Sequence, residues 1–257
     1  MTDFPQQVRT PAVRLLQKIF PPRITRYRTY LERLRGGYGL EIGGPSKVFS
    51  RRGIVPVYPV VAGLDGCNFS SQTVWEGNIQ EGEGRYRYAK GRTPGRQFIN
   101  DAVTLEGIAS NTYDFIISCG CIEHIANPLK ALSEWLRVIR SGGHLLLLVP
   151  HRDGTFDHRR PLTPFSHLLE DLDRRVGEDD LTHLAEILEL HDLAMDPPAG
   201  DQEQFRQRSL KNIENRCLHH HTFDRDLVVR MVEHTGLRVV EVQQGPPFWI
   251  AVLAEKV

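Results

Sequence analysis

The sequence predicts an α/β fold, a mostly parallel sheet with helices on both faces, joined to an N-terminal helical arm and broken by a mostly helical insertion. Three observations carry that expectation. Seven short apolar stretches read as strands: Tyr38–Ile42, Val60–Leu64, Gln97–Ile99, Tyr113–Ser118, Leu145–Val149, Leu237–Val242 and Phe248–Leu253. Helical stretches alternate with several of them, as strand–helix–strand crossovers require. Runs such as Leu145-Leu146-Leu147-Leu148-Val149 are apolar at every position, which suits strands covered on both faces.

Taken in order, residues 1–37 read as the arm, two helices split by Pro21-Pro22. Val13, Leu16 and Phe20 share one face of the first, and Ile24, Tyr27, Leu31 and Leu34 one face of the second. Gly36-Gly37 stops the second helix, and a domain spanning 38–257 begins with the first strand. Glu76–Gly95, rich in glycine and charge, reads as an excursion between strands. A helix is expected over Pro128–Ile139, where Leu129, Leu132, Leu136 and Ile139 recur at spacings of three and four. Pro128 sits in its first turn and Ser141-Gly142-Gly143 ends it. Residues 151–222 form the insertion, with helical pieces at Leu181–Leu190 and Gln202–Asn212, and a further helix fits Asp224–His234. Because the insertion follows the strand ending at Val149, it is placed to form a lid over the carboxyl ends of the strands.

The 257 residues, 40% apolar and 25% charged, suit one large or two small globular domains. Lys+Arg and Asp+Glu balance at 32 each, which argues against a nucleic-acid-binding surface. No apolar run approaches the roughly 18–20 residues a membrane span needs, and Met1–Phe20 lacks the apolar stretch of a secretory leader. Cysteines 67, 119, 121 and 217 have neither CxxC nor zinc-ribbon spacing, so a reducing, cytoplasmic setting is expected. The balanced charge conceals an asymmetry. Met1–Arg35 carries eight Arg/Lys against two acids, whereas Leu168–Glu203 carries twelve acids against Arg174 and Arg175. Two solvated faces, or one docking on the other, account for this, and a basic arm touching a membrane surface is the alternative. Eight of the eleven histidines fall between 151 and 221.

Five motifs carry chemistry. In Glu41-Ile42-Gly43-Gly44-Pro45-Ser46 a strand runs into adjacent glycines, where backbone can approach a ligand; the same tripeptide also makes an ordinary turn. The G-x-G-x-x-G spacing of dinucleotide folds is absent, which counts against a nicotinamide-dependent oxidoreductase. Asp65-Gly66 follows the second strand candidate, near the interval at which an acid meets ribose hydroxyls, and Asp-Gly is also a turn former. Asn100-Asp101 holds the equivalent place after the third. The fourth and fifth motifs are Tyr113-Asp114-Phe115-Ile116-Ile117-Ser118-Cys119-Gly120-Cys121-Ile122-Glu123-His124 with Asn127-Pro128, and Arg137-Val138-Ile139-Arg140-Ser141-Gly142-Gly143.

In that order and at those intervals, from about residue 38 to 150, the chain resembles the class I S-adenosylmethionine-dependent methyltransferases of the type 11 group. The resemblance implies a Rossmann-like, seven-stranded sheet and S-adenosyl-L-methionine as cofactor. It places Glu41, Gly43 and Gly44, with Pro45 and Ser46, under the methionine part, and Asp65 with Gly66 at the ribose. Asp101 and Ala102 frame the adenine, and Ser118, Cys119 and Gly120 line the pocket. The loop departs from the family pattern at Gly44-Pro45.

A sulfonium methyl is already activated, so the protein chiefly aligns an acceptor, and an alcohol acceptor also needs its proton removed. His151, leaving the fifth strand at its carboxyl end, is the first choice for that base, with Glu123 and His124 as further catalytic candidates. His219 and His221 would face one side of an extended segment and, with Asp180, offer ligands to Mg²⁺ or Mn²⁺; the insertion's histidines would equally serve as interior hydrogen-bonders. Asn68, Phe69, Trp75, Tyr86, Tyr88 and Phe156 would suit stacking on sugar rings, and equally a plain core. The stretches Asn68-Phe69-Ser70-Ser71 with Trp75-Glu76-Gly77, and Glu178-Asp179-Asp180-Leu181-Thr182-His183, resemble a bacterial subgroup associated with cell-surface or storage sugars. That resemblance implies O-methylation of a sugar or oligo- or polysaccharide hydroxyl, with a non-sugar small molecule as the alternative acceptor. Homo-oligomerisation stays open.

Overall fold

The computed structural model describes residues 22–257. The expected first helix, with Val13, Leu16 and Phe20, lies outside the described residues. The second forms as α1 (Tyr27–Leu34), burying Tyr30, Leu31 and Leu34. The Tyr30 hydroxyl donates to the Ala251 carbonyl (3.2 Å), so α1 packs directly on the sheet.

Eight strands make the main sheet: β1 (Tyr38–Ile42), β2 (Gly63–Asn68), β5 (Gly82–Tyr86), β6 (Gly95–Ile99), β7 (Tyr113–Cys119), β8 (Ile139–Pro150), β9 (Leu237–Gly245) and β10 (Trp249–Lys256). Their order is β5-β6-β2-β1-β7-β8-β10-β9, with β6, β2, β1, β7 and β8 parallel, β5 antiparallel to β6, β10 antiparallel to β8 and β9 antiparallel to β10. β3 (Gln72–Thr73) and β4 (Gly77–Asn78) form a separate two-stranded hairpin. The count exceeds the seven expected because the Glu76–Gly95 excursion supplies β5. Its Gly82-Glu83-Gly84-Arg85 start has little strand propensity, and pairing with β6 overrides it.

A second difference has larger consequences. The strand expected over Val60–Leu64 forms instead over Gly63–Asn68. Gly63 and Gly66 look like turn residues, yet the first opens the strand and the second sits inside it, each covered by an aromatic ring. A Cβ on Gly63 would lie 2.4 Å from the Tyr38 ring, and one on Gly66 2.1 Å from the Tyr86 ring.

Alternate residues of the central strands feed opposite layers. Leu145, Leu147 and Val149 of β8 and Ile250, Val252 and Ala254 of β10 join one core. α2 (Pro128–Val138) and, after the insertion, α7 (Arg225–His234) pack on that side, through Leu129, Leu132, Trp135, Val228 and Met231. Leu146, Leu148, Ala251 and Leu253 face the other core, closed by α1 and by Phe49, Val55, Val57 and Tyr58. α2 starts at Pro128 behind an Asn127 cap, whose side chain accepts from the Lys130 amide (3.1 Å). It stops at Val138, and the Ser141-Gly142-Gly143 expected to end it lies inside β8.

The insertion contributes α3 (Phe165–Arg174), α4 (Leu184–Leu190), α5 (Gln202–Leu210) and α6 (Asn212–Asn215). Ile187, Ala199, Phe205 and Leu218 give it a small core of its own. Buried Arg160 cross-links it, donating to Asp157 (3.0 Å), Glu186 (2.9 Å) and the carbonyls of His219 (2.8 Å) and His220 (3.2 Å). A buried guanidinium is tolerable only when its donors are occupied in this way. Among the described residues no helix is long and apolar enough to cross a membrane.

Candidate active site

β1 pairs with β2 on one side and β7 on the other, so the connections turn in opposite directions at β1. A crevice opens at the carboxyl ends of strands at such a switch point. A cavity of about 680 Å³ occupies it, lined by Ile42 and Gly43 after β1, Cys67 and Asn68 at the end of β2, Asn100 and Asp101 after β6, and Cys119 and Gly120 at the end of β7. Phe69, Trp75 and Glu76 wall it from the β3–β4 hairpin and its approach, Tyr58 and Lys47 from the segment after β1, Trp249 from β10, and Arg216 from the insertion.

Of the residues expected at a cofactor, Gly43, Pro45, Ser46, Asp101, Ala102, Cys119 and Gly120 lie on this cavity. Gly43 has φ +78°, a conformation that favours glycine, and its amide donates to the Cys67 carbonyl (2.9 Å), so the turn is tied to the end of β2. Gly120 (φ +61°) is tight as well: a Cβ there would lie 3.3 Å from Trp249.

Glu41, Gly44, Gly66, Ser118 and Asp65 stand behind the lining. Buried Glu41 accepts from the Tyr86 hydroxyl (2.6 Å), the Tyr58 hydroxyl (2.8 Å) and the Ser46 amide (2.9 Å). Burial pushes its carboxyl up to about 7 despite those donors. Gly44 is small because a Cβ would lie 2.2 Å from that carboxyl. The Ser118 hydroxyl donates to the Ile42 carbonyl (3.1 Å) and so ties β7 to β1.

The expectation for Asp65 is corrected by the register of β2. With the strand running to Asn68, Asp65 sits in its middle, opposite Leu40, and its carboxylate is used internally. Tyr38 (2.7 Å), Tyr113 (2.8 Å) and the Arg96 amide (2.7 Å) all donate to it. Asn68 holds the strand-end place instead, donating to the Gly44 carbonyl (3.1 Å) and accepting from Gln97 (3.0 Å).

The catalytic expectations divide. His124, in the turn Ile122–His124 after β7, lines the cavity with its ring against Trp75 (centroids 5.0 Å apart). Its Nδ1 lies 3.1 Å from the Leu218 carbonyl, so Nδ1 carries the proton and Nε2 keeps its lone pair. Burial, with His219 beside it, pushes the imidazole well below its usual pKa, so it is neutral. Glu123 is buried under Gly120 with Oε2 unpartnered, and burial pushes its carboxyl up to about 7. His151 is not on the cavity. It lines a separate niche of about 30 Å³ with Gly154 and Phe248, and its Nδ1 accepts from the Asp153 amide (3.2 Å).

A dyad missed in the sequence stands next to His124. Asp157 Oδ2 lies 2.5 Å from His219 Nδ1, and the His219 ring packs against His124 (centroids 4.6 Å apart). Burial alone would raise Asp157, but His219 and Arg160 hold it down to about 2; burial opposes charge on His219, and the Asp157 carboxylate nonetheless raises its pKa. Their separation of 62 residues, with both inside the insertion, left no local pattern to read.

The proposed metal set of His219, His221 and Asp180 does not assemble. The segment after α6 is not a strand; it leaves Arg216 at φ +53°, so alternate residues need not share a side. His219 turns to Asp157, whereas His221 Nε2 lies 3.1 Å from the Ala126 carbonyl. Asp180 accepts from the amide (3.2 Å) and hydroxyl (2.8 Å) of Thr182.

Comparison with known proteins agrees with this architecture. The chain matches a family model described as a methyltransferase domain over residues 14–242. No curated protein matches it. Among solved structures, an S-adenosylmethionine-dependent methyltransferase from Mesorhizobium loti is 13% identical with a TM-score of 0.50, the match covering 90% of this chain and 95% of that one. A SAM-dependent methyltransferase from Aquifex aeolicus is 14% identical with a TM-score of 0.46, over 95% of this chain and 98% of that one. At such identities the likeness is one of fold. The family match extends over most of the sequence, including β1, β2, β6 and β7, whose ends border the cavity, and the chain belongs to the methyltransferase-domain family.

Proposed function

We propose that the protein is an S-adenosylmethionine-dependent O-methyltransferase acting on a hydroxyl of a sugar or oligosaccharide. The cavity has a volume usual for cofactor-sized ligands and stands at the strand-end switch point. Its donor set fits the cofactor: the Gly43–Ser46 turn would hold the methionine part, Asn68 the ribose, and Asp101 with Ala102 the adenine. Bound S-adenosylmethionine supplies a methyl group on a sulfonium, an electrophile needing no further activation.

The single observation that carries the O-methyl reading is His124, a neutral imidazole on the cavity wall with Nδ1 occupied and Nε2 free. A sugar hydroxyl is a poor nucleophile while protonated, and Nε2 accepts its proton as the oxygen attacks. The Asp157–His219 pair stands against the ring of His124 and holds that proton-accepting edge in place. Burial holds the Glu123 carboxyl up to about 7, so near neutral pH it carries only part of a negative charge. The sugar part of the reading is supported by Trp75 and Phe69, aromatic faces on the cavity, interleaved with the polar groups of Asn68, Glu76 and Asn100. The four cysteines are free thiols, in keeping with a reducing, cytoplasmic setting.

The test is a screen of the full chain with methyl-labelled S-adenosylmethionine against glycosides, simple alcohols and amines, with the product bond read by NMR. An O-methyl glycoside is the expected product. Exclusive transfer to amines or carboxylates would overturn the reading.

A further inference from the structure

Outside the cavity, the insertion brings together side chains that none of the chemistry above uses. α3 carries His167 and Asp171, one helical turn apart and so on one face. His183 is the residue that precedes α4, and His221 comes from the segment between α6 and α7. These four positions span 55 residues and three separate pieces of backbone, yet their polar atoms converge.

The distances are those of ligands around one centre. His167 Nε2 and His183 Nε2 are 2.8 Å apart, and Asp171 Oδ2 lies 3.3 Å from His167 Nε2 and 3.6 Å from His221 Nε2. Donors bonded to a tetrahedral ion at about 2.0–2.1 Å are roughly 3.3 Å from one another. One ligand atom from each of the three histidines lies within 4.8 Å of the others.

Internal hydrogen bonding accounts for only part of the cluster: His167 and His183 bond each other and His221 Nε2 faces the Ala126 carbonyl, but two buried atoms are left over. Asp171 is 4% exposed, and its Oδ2 has no hydrogen-bond partner although it stands beside the imidazoles of His167 and His221. His221, 2% exposed, likewise has an unpartnered ring nitrogen, Nδ1. Unsatisfied buried polar atoms are costly and few in folded proteins, so a pair in one cluster calls for a partner outside the chain. The neighbours of His221 do not share the centre. His219 is committed to Asp157, and His220 Nε2 lies 3.0 Å from the Asn212 amide nitrogen.

We propose that His167, His183 and His221 form a binding site for one divalent transition-metal ion of the zinc class, with Asp171 beside it. Three imidazoles favour zinc, or cobalt as its spectroscopic stand-in, over magnesium, which prefers oxygen ligands. The ion ties α3, the start of α4 and the segment before α7 to each other. Through the contact of His221 with Ala126 it also braces the turn that carries His124.

The experiment uses the full chain, stripped with EDTA and titrated with Zn²⁺ by calorimetry, then loaded with Co²⁺ for visible spectroscopy. One tight equivalent of Zn²⁺ and the intense absorption of tetrahedral cobalt are expected. Loss of a second-sphere group costs 10–100-fold in metal affinity, so His183→Ala and His167→Gln, which remove ligands, should weaken Zn²⁺ binding at least about 100-fold. Glu123→Gln, at the other histidine cluster, should leave Zn²⁺ binding unchanged. Failure of stripped wild-type chain to take up one equivalent would overturn the proposal, as would unchanged affinity in both histidine variants. Far-UV circular dichroism on each variant separates lost ligands from lost fold, and the cobalt spectrum of the wild type decides the matter even where a variant does not fold.

Discussion

Arg216 Nη2 lies 3.1 Å from Asp101 Oδ2, which joins the insertion to the carboxyl end of β6 at the wall of the cavity. The same guanidinium reaches Glu178 (3.0 Å) through its other arm and lies over the Phe69 ring, 5.3 Å from its centroid. One side chain thus positions an acid, an aromatic face and a buried carboxylate together.

Arg216→Ala should therefore act on both stability and binding. Glu178 is left in a buried site without its cation, at a cost of about 2 kcal/mol. Thermal melting should register that loss. Calorimetric titration with S-adenosylhomocysteine should show severalfold weaker binding, because Asp101 loses the group that orients it. Arg216→Lys should not restore it, since a lysine cannot span two carboxylates.

Asp65 and Asn68 should separate cleanly by mutation. Asp65→Ala leaves two tyrosine hydroxyls and the Arg96 amide without their acceptor, so a loss of about 3 kcal/mol in urea unfolding is expected. Cofactor affinity should change little in the folded fraction. Asn68→Ala should do the reverse in proportion, releasing the Gly44 carbonyl and weakening binding more than folding.

That pair also marks how far the sequence could be read. The apolar runs that became β1, β7, β8 and β10 were legible because buried parallel strands carry continuous apolar residues. The Gly43 turn, Asp101, Cys119 and Gly120 were named through the family resemblance, and all four positions lie on the cavity. β2 was misplaced because its Gly-Leu-Asp-Gly core has turn composition, and only the tyrosines of β1 and β5 stacked on its glycines make it a strand. One shift of register moved an acid from the cavity to the interior. His219, Asp157 and Arg216 were out of reach for another reason: they act through contacts within and from an insertion with no periodic signal.

Glu41 should make stability depend on pH in a defined direction. Its folded carboxyl titrates at about 7, above the ordinary 4.5, so between those values the folded chain holds a proton that the unfolded chain releases. Stability contributed at this site therefore falls as pH rises from about 4.5 to about 7, by roughly 3 kcal/mol in all. Glu41→Gln should remove that slope. Urea titrations of both chains at pH 5 and pH 8 should show the variant losing less of its stability than the wild type; parallel profiles would remove Glu41 as the source.

The last prediction concerns the proton. If His124 Nε2 accepts it, His124→Gln should lower kcat by about 10²–10⁴-fold while leaving S-adenosylhomocysteine affinity near the wild-type value. A glutamine keeps the hydrogen bond to the Leu218 carbonyl and much of the contact with Trp75, but supplies no base. Asp157→Asn should be milder, since His219 loses a carboxylate partner while His124 itself is retained. His151→Ala should leave turnover almost unchanged, because that imidazole lines a separate niche and is held by the Asp153 amide. Single-turnover kinetics on each variant separates chemistry from product release. The pattern has one discriminating arm: if His151→Ala rather than His124→Gln abolishes the burst, the proton leaves by the fifth parallel strand, β8, and not by the turn after β7.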